Sequence, residues 1–321
     1  MKPSAGYLQA HIMHTGAVAR ACLASDQRGK VLAAFSQAIY LLTEAGKLFW
    51  IGMDDIPMHQ RCAQVAAPLL RPAAGSPFHV ADQRLTIDPG FVCDVDHALL
   101  WSAPRLDPNQ TLAITQLPAR LQAFFSQLDF SQAKGFGTFI PHILSLAQNA
   151  LDPASAFTDP VLLFAYPYVL DMARACLDRH PLRISKNADA LIGLGAGLTP
   201  SGDDFLGGCL FAVKILQAAY PNLSGIPHSI PIETYHSRTH LISFTLLTDL
   251  ASGQAIAPLH HIVNGLLTGE SFESIYPFIS QLTPIGHSTG WDMLTGLLTG
   301  LLNTYRSGDF TSSQMDQSLA A

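Results

Sequence analysis

Two short stretches carry most of the residues able to do chemistry in this chain. The first, Leu191–Lys214, reads LIGLGAGLTPSGDDFLGGCLFAVK; the second, Ile285–Leu298, reads IGHSTGWDMLTGLL. Around their helix starts they hold four hydroxyls (Thr199, Ser201, Ser288, Thr289), three carboxylates (Asp203, Asp204, Asp292) and one imidazole (His287). Gly193, Gly195, Gly197 and Gly202 are set among them. Hydroxyls and backbone amides at a helix start suit a phosphate or carboxylate, because first-turn N–H groups lack intrahelical partners and the helix dipole is positive there. The carboxylates oppose an anion unless they cap their own helices, point away, or hold a cation that bridges to the ligand. A divalent metal such as Mg2+ is compatible with the last arrangement; the cofactor and the metal requirement stay unknown from sequence.

The spacing predicts where these groups sit. Ser201 is expected as an N-cap, with Asp204 three residues on and Pro200 at the helix start. An apolar helix follows from Phe205 to Ala219. The pattern recurs: Ser201-Gly-Asp-Asp-Phe-Leu-Gly-Gly matches Thr289-Gly-Trp-Asp-Met-Leu-Thr-Gly as [ST]-G-x-D-[FM]-L-x-G. Two such helices are expected to pack closely with their N-termini on one cleft. Asp204 and Asp292 then read mainly as capping acids. Asp203 has no such duty, since Trp291 takes its place in the second copy, so Asp203 and His287 are the candidates for proton transfer. No residue reads as a nucleophile, as there is no G-x-S-x-G and no cysteine in a polar motif. A P-loop is excluded because this loop ends in Gly-Asp-Asp instead of Gly-Lys-Ser/Thr. A dinucleotide fingerprint is excluded because the glycines run G-x-G-x-G.

The two motifs, GLGAGLTPSGDDFLGG and IGHSTGWDMLTGLL, closely resemble a bacterial family, formerly of unknown function, that includes the H-type (AllH) subunit of oxamate carbamoyltransferase. The resemblance is strongest from Leu191 to Leu301 and weak before about residue 110. It implies a subunit that works with other chains in allantoin catabolism, converting oxalurate and phosphate to oxamate and carbamoyl phosphate. The substrate-binding surface it implies comprises Gly195, Gly197, Thr199, Ser201, Gly202, Asp204, Ser288, Thr289 and Asp292, with Thr239 and Ser243 drawn in from a neighbouring helix. Transfer would be direct, by orienting the reactants and stabilising charge. No arginine cluster accompanies the motifs, and Arg238 is the nearest candidate. A site completed by another subunit follows, or alternatively a non-catalytic ligand-binding or scaffolding subunit.

The elements that must position these groups fall into two kinds. Residues 1–105 read as a small β-rich domain and residues 106–321 as a mainly α-helical one, an α+β fold. In the first part, Ala17–Ser25 and Val31–Thr43 read as extended runs about a turn at Asp26–Gly29. Lys47–Met53, Phe78–Val80, Leu85–Ile87 and Phe91–Asp94 read as strands, and Met58–Leu70 as a helix. In the second part, helices are expected over Leu112–Leu128, Ile140–Leu151, Val161–Asp178 (with a break or kink at Pro167) and Asn187–Ile192. Others are expected over Glu233–Ala251, Pro258–Leu267, Ser271–Leu282 and Trp291–Tyr305. The Glu233–Ala251 helix would place His236 and His240 at i, i+4, better read as core or surface histidines than as metal ligands.

Composition narrows the class further. The chain has 321 residues, 48% hydrophobic and 13% charged, with net charge −6 and mean hydropathy +0.24. That suits a compact protein with a sizeable core and an apolar surface covered by a partner, and it disfavours a nucleic-acid partner. Five scattered cysteines without C-x-x-C read as buried thiols of a reducing compartment. No signal peptide is read at the N-terminus and no uninterrupted apolar stretch reaches the roughly 18 residues of a membrane span, so a cytoplasmic location is expected.

Overall fold

The computed structural model describes residues 8–24, 26–148, 157–221 and 230–305. The tail from Arg306 and most of the Pro221–Pro231 connection lie outside the described residues. The fold is α+β, and the chain divides into two compact units: Met1–Pro104 with Ala255–Ala257, and Arg105–Gln254 with Pro258–Ala321.

The first unit contains β1 (Leu8–Thr15), α1 (Ala17–Leu23), β2 (Gln27–Ala34), β3 (Ala38–Thr43), β4 (Leu48–Met53) and β5 (Cys62–Val65). It continues with β6 (Pro77–Ala81), β7 (Arg84–Ile87), β8 (Phe91–Asp94) and β9 (Leu99–Leu100). The strands form one sheet in the order β5-β4-β3-β2-β6-β7-β8-β1-β9. β1 runs parallel to β8 over Leu8–His11 and antiparallel to β5 over Ile12–Thr15, which closes the sheet into a barrel. Ile12, Val31, Ile39, Leu41, Phe49, Ile51, Phe78, Leu85 and Phe91 fill its core.

Three local expectations are corrected here. Ala17–Leu23 is a helix, because its buried residues Ala19, Cys22 and Leu23 follow helical spacing. Asp26–Gly29 is not a hairpin turn: β2 already begins at Gln27, and the connection to β3 comes at Phe35–Gln37. Met58–Leu70 is not a helix. Its centre, Cys62–Val65, is a strand buried at every position, and pairing with β4 and β1 outweighs its local propensity.

The second unit is helical, and among its described residues there is no strand, which removes a doubly wound nucleotide fold. Its helices are α2 (Leu117–Phe125), α3 (Ile140–Ala147), α4 (Pro160–Leu177), α5 (Pro181–Leu191) and α6 (Ser201–Ala219). After them come α7 (Leu241–Ala251), α8 (Ala257–Thr268, its first residue grouped with the barrel unit), α9 (Phe272–Leu282) and α10 (Thr289–Leu301). α4 continues through Pro167 and is capped by Asp159, whose carboxylate accepts from the Val161 and Leu162 amides. By length and composition it is the one helix among the described residues apolar enough to cross a membrane. Its mean hydropathy is 1.2 and 39% of it is buried. Asp171 interrupts it and pairs with Arg183 of α5.

The expected Glu233–Ala251 helix is broken. A short 3-10 turn over Ile232–Tyr235 is followed by the irregular segment His236–His240, and only then does α7 begin. His236 and His240 therefore do not share a helix face. The backbone at Arg238 packs so tightly on the glycine loop that a side chain at Gly193 would collide with the Arg238 carbonyl. The Thr239 hydroxyl is committed to Asp203. Tertiary contacts and a side-chain hydrogen bond thus displace helix at this point.

The centre of the unit is the pair α6 and α10. A Cβ at Gly208 would strike the Met293 carbonyl, and one at Gly296 would strike the Phe205 carbonyl. Phe205 and Met293 occupy matching positions in the two motif copies, as do Gly208 and Gly296. The two helices therefore meet with an approximate internal two-fold symmetry, their backbones brought together by glycine.

Candidate functional site

The glycine loop reaches α6 through residues with positive φ: Gly193 (74°), Gly195 (121°) and Gly197 (94°). Such values are cheap only for glycine. The loop is then fixed from below by Asp203. This side chain is 2% exposed and accepts three hydrogen bonds. The Gly193 amide donates to Oδ1 at 2.6 Å and the Ser243 hydroxyl to Oδ2 at 2.6 Å; the Thr239 hydroxyl also donates to Oδ2. The structure thus gives Asp203 a duty that the motif spacing did not reveal. It ties the glycine loop to the segment before α7.

Above that tie lies a cavity of about 330 Å³ lined by Gly193, Gly195, Pro200, Ser237, Arg238, Thr239 and His240. Pro200 is the N-cap residue of α6 and His240 that of α7, and neither makes a side-chain capping bond. Two helix starts therefore flank the cavity without side-chain caps, although at α6 the Gly202 amide already donates to the Leu194 carbonyl and the Asp203 amide to the Pro200 carbonyl. The guanidinium of Arg238 is steered by α5: Nη2 donates to the Asp189 carbonyl at 2.6 Å, and Nη1 stands 3.8 Å from the Asp189 carboxylate. It also lies over the Tyr235 ring at 5.6 Å. The Tyr235 hydroxyl donates to Asp189 at 2.8 Å, and burial raises its pKa, with the Asp189 contact adding to the rise. No carboxylate is among the lining residues, while Asp203 lies directly behind Gly193 and Thr239 and the Arg238 guanidinium is held beside the Asp189 carboxylate.

The starts of α6 and α10 meet on a separate patch of half-buried hydroxyls over two buried acids. Thr199 Oγ1 is 3.2 Å from Thr289 Oγ1, and Ser201 Oγ is 3.3 Å from Ser288 Oγ. Thr289 and Thr199 both bond the carboxylate of Asp204. Ser288 and Ser201 bond that of Asp292, which also accepts the Phe136 amide at 2.7 Å. The hydroxyl caps expected of Ser201 and Thr289 do not form. Pro200 and Ser288 are the N-cap residues and make no capping bond, while Ser201 and Thr289 cross over to the acid of the opposite helix. A hydrogen bond to a buried carboxylate is stronger than one to a backbone amide, and the close helix pairing puts that carboxylate in reach. Burial pushes the Asp292 carboxyl up to about 6 against the hydrogen bonds that favour its charge. Burial, then the charge of Asp292, raises Asp204 well above the usual carboxylate range.

The structure thus brings Thr199, Ser201, Asp204, Ser288, Thr289 and Asp292 together, and places Gly195 and Thr239 in the neighbouring cavity. Gly202 packs against the Leu191 carbonyl. Gly197 and His287 are exposed on their turns. Among the described residues no three His, Cys, Asp or Glu side chains gather as a metal site, and all five cysteines are buried free thiols. The motifs alone did not point to Ser237 and His240 as cavity walls. Their signal is the polar run His236-Ser-Arg-Thr-His240, read earlier as the interior of a helix.

No solved structure matches the chain. A family model described as "Oxamate carbamoyltransferase subunit AllH" matches residues 191–301, the stretch that supplies both helix starts, the cavity and the buried acid patch.

Proposed function

We propose that the chain is a subunit of an oxamate carbamoyltransferase-type enzyme and that its cavity binds the anionic end of carbamoyl phosphate, oxamate or oxalurate. The family match over residues 191–301 supports the subunit assignment, and a subunit implies partner chains. The observation that carries the anion reading is the cavity itself. Two helix starts without side-chain caps, Pro200 and His240, and the guanidinium of Arg238 surround a space free of carboxylates. At about 330 Å³ it stands at the lower end of ligand pockets, as a ligand of few heavy atoms requires.

In this reading the amides and Arg238 neutralise charge on the phosphate or carboxylate and hold it for direct transfer to or from an amide nitrogen. His240 places an imidazole on the cavity wall. Asp203 acts by position, since its oxygens already accept three donors. His287, exposed on its turn, is left to a surface that a partner completes.

A second reading, a ligand-binding subunit without chemistry of its own, is favoured by one feature: the cavity offers one arginine and no nucleophile. Thermal shift of the full chain with each of the three compounds, alone and with its partner subunits, tests both. Stabilisation by at least one compound, abolished by Arg238→Ala, is expected, together with a tenfold or greater rise in KM of the assembled enzyme. Equal melting with and without all three compounds refutes the anion site. Binding by the chain that Arg238→Ala abolishes, while the Arg238→Ala assembly turns over as the wild-type assembly does, establishes the second reading.

A further inference from the structure

The arginine on the cavity wall stands beside a carboxylate, and the pair determines what charge the space accepts. Arg238 Nη2 donates to the backbone carbonyl of Asp189 at 2.6 Å, while Nη1 stands 3.8 Å from Oδ1 of the same residue. That Oδ1 also accepts the Tyr235 hydroxyl at 2.8 Å, and the guanidinium carbon lies 5.6 Å from the centre of the Tyr235 ring. The hydroxyl thus holds the Asp189 carboxylate near Arg238 without a close ion pair forming. A second carboxylate, Asp203, sits behind Gly193 and Thr239 and is 2% exposed. Neither acid lines the cavity, yet both charges flank its wall.

Charge arithmetic then decides between ligands. Arg238 contributes +1, Asp189 and Asp203 −1 each, and the starts of α6 and α7 about +0.5 each, so the fixed surroundings come to about zero. A phosphate dianion needs more, because doubly charged oxyanions are held by several cations or by a nest of free amides. Here no lysine and no second arginine lines the space. At α6 the Gly202 amide is taken by the Leu194 carbonyl, and the Asp203 and Asp204 amides by the Pro200 carbonyl. A planar carboxylate asks for less: one guanidinium edge, with Ser237 and His240 on the wall to meet a neutral amide end. We propose that Asp189, held by Tyr235, is the specificity-determining residue of the cavity. It tunes Arg238 to a singly charged carboxylate carried on a small amide and disfavours doubly charged phosphate. This rests on the anion reading of the cavity and narrows it.

The anchor of Arg238 is the Asp189 backbone carbonyl, which survives a change of side chain, and an asparagine oxygen can still accept the Tyr235 hydroxyl. Asp189→Asn therefore removes charge and keeps geometry. The full chain is titrated by calorimetry at low ionic strength with oxamate, carbamoyl phosphate and sulfate, the last doubly charged at every pH used. The wild type should bind oxamate about tenfold or more tighter than either phosphate or sulfate ligand, and Arg238→Ala should abolish that binding. Asp189→Asn should tighten sulfate and carbamoyl phosphate by about threefold or more relative to oxamate, a gain that shrinks as salt is added. Tyr235→Phe frees the Asp189 carboxylate to close on Nη1, so oxamate should weaken by about threefold. Adding Asp189→Asn to Tyr235→Phe should restore oxamate binding, a recovery that loosened packing would not give. Arg238-dependent binding in which sulfate or carbamoyl phosphate equals oxamate, or a selectivity that Asp189→Asn leaves unmoved, overturns the proposal while the anion site stands. Absence of Arg238-dependent binding by all three removes the anion site itself, and the selectivity with it.

Discussion

Replacing Asp203 by alanine probes the tie beneath the cavity, and its cost follows from three acceptor bonds. A hydrogen bond to a charged group contributes about 1.5–3 kcal/mol net, but the three are not equally lost. The Thr239 and Ser243 hydroxyls can turn toward helix carbonyls or water, so their removal is partly recovered. The Gly193 amide, which donates to Oδ1 at 2.6 Å, cannot rotate within its loop. Leaving it unpaired accounts for about 1–3 kcal/mol alone. We expect Asp203→Ala to lower stability by about 3–4 kcal/mol, within the 5–15 kcal/mol typical of a folded protein, so that it still folds.

Asp203→Asn separates charge from shape. Its oxygen can keep the Gly193 amide while its NH2 replaces the oxygen that Thr239 and Ser243 address, at a cost of about 1–2 kcal/mol. Urea unfolding should show a lower midpoint with an unchanged slope for both variants. Because the tie joins two cavity walls, anion affinity should fall at least tenfold, equivalent to roughly 1.4 kcal/mol, in the alanine variant. A coupling of about 1 kcal/mol between Asp203→Ala and Thr239→Val should appear in a double-mutant cycle. The reasoning is refuted if Asp203→Ala costs less than about 0.5 kcal/mol, or if it loses stability while binding the anion as tightly as the wild type.

Two further expectations concern the helix pair. Gly296→Ala pushes a methyl group into the Phe205 carbonyl of α6, a clash with backbone that should cost about 3 kcal/mol or more and be visible as a lowered unfolding midpoint. The pH dependence follows from Asp292, whose carboxyl is raised by burial from 3.8 to about 6. Its folded form binds the proton more tightly than the unfolded chain does, so this contribution is full below about 4 and is lost as pH rises through about 6. The loss should approach about 3 kcal/mol by pH 7, measured by urea unfolding at each pH, and Asp292→Asn should flatten that step.

The parts of this molecule legible in its sequence are those where local signals and tertiary demands coincide. Leu85–Ile87 and Phe91–Asp94, split by Asp-Pro-Gly, appear as β7 and β8, and the repeated motif places two helix starts together. The failures share a cause. Cys62–Val65 became a strand because β1 and β4 offered it edges to pair with, and no window of Met58–Leu70 contains that information. The segment His236–His240 left the helix because Asp203, distant in sequence, claims the Thr239 hydroxyl and the Gly193 loop presses on Arg238. Spacing identified Ser201 and Thr289 as caps. It could not show that each would find a stronger acceptor on the other helix.

The two motif copies explain how a symmetric core yields one cavity. At the core the copies are equivalent: glycine against carbonyl in both directions, and hydroxyls that reach the partner's acid. They part at the third residue. In the first copy Asp203 points to the side of α6 and draws in Gly193, Thr239 and Ser243, so that two polar segments are suspended over the helix start with space between them. In the second copy the same place holds Trp291, 6% exposed and packed so closely on Gly137 that a side chain there would touch it. A carboxylate recruits donors and leaves an opening between polar segments, whereas an indole fills the equivalent volume with apolar contact. The asymmetry between the two helix starts thus rests on one position, Asp203 against Trp291, within a helix pair that packs glycine against carbonyl in both directions.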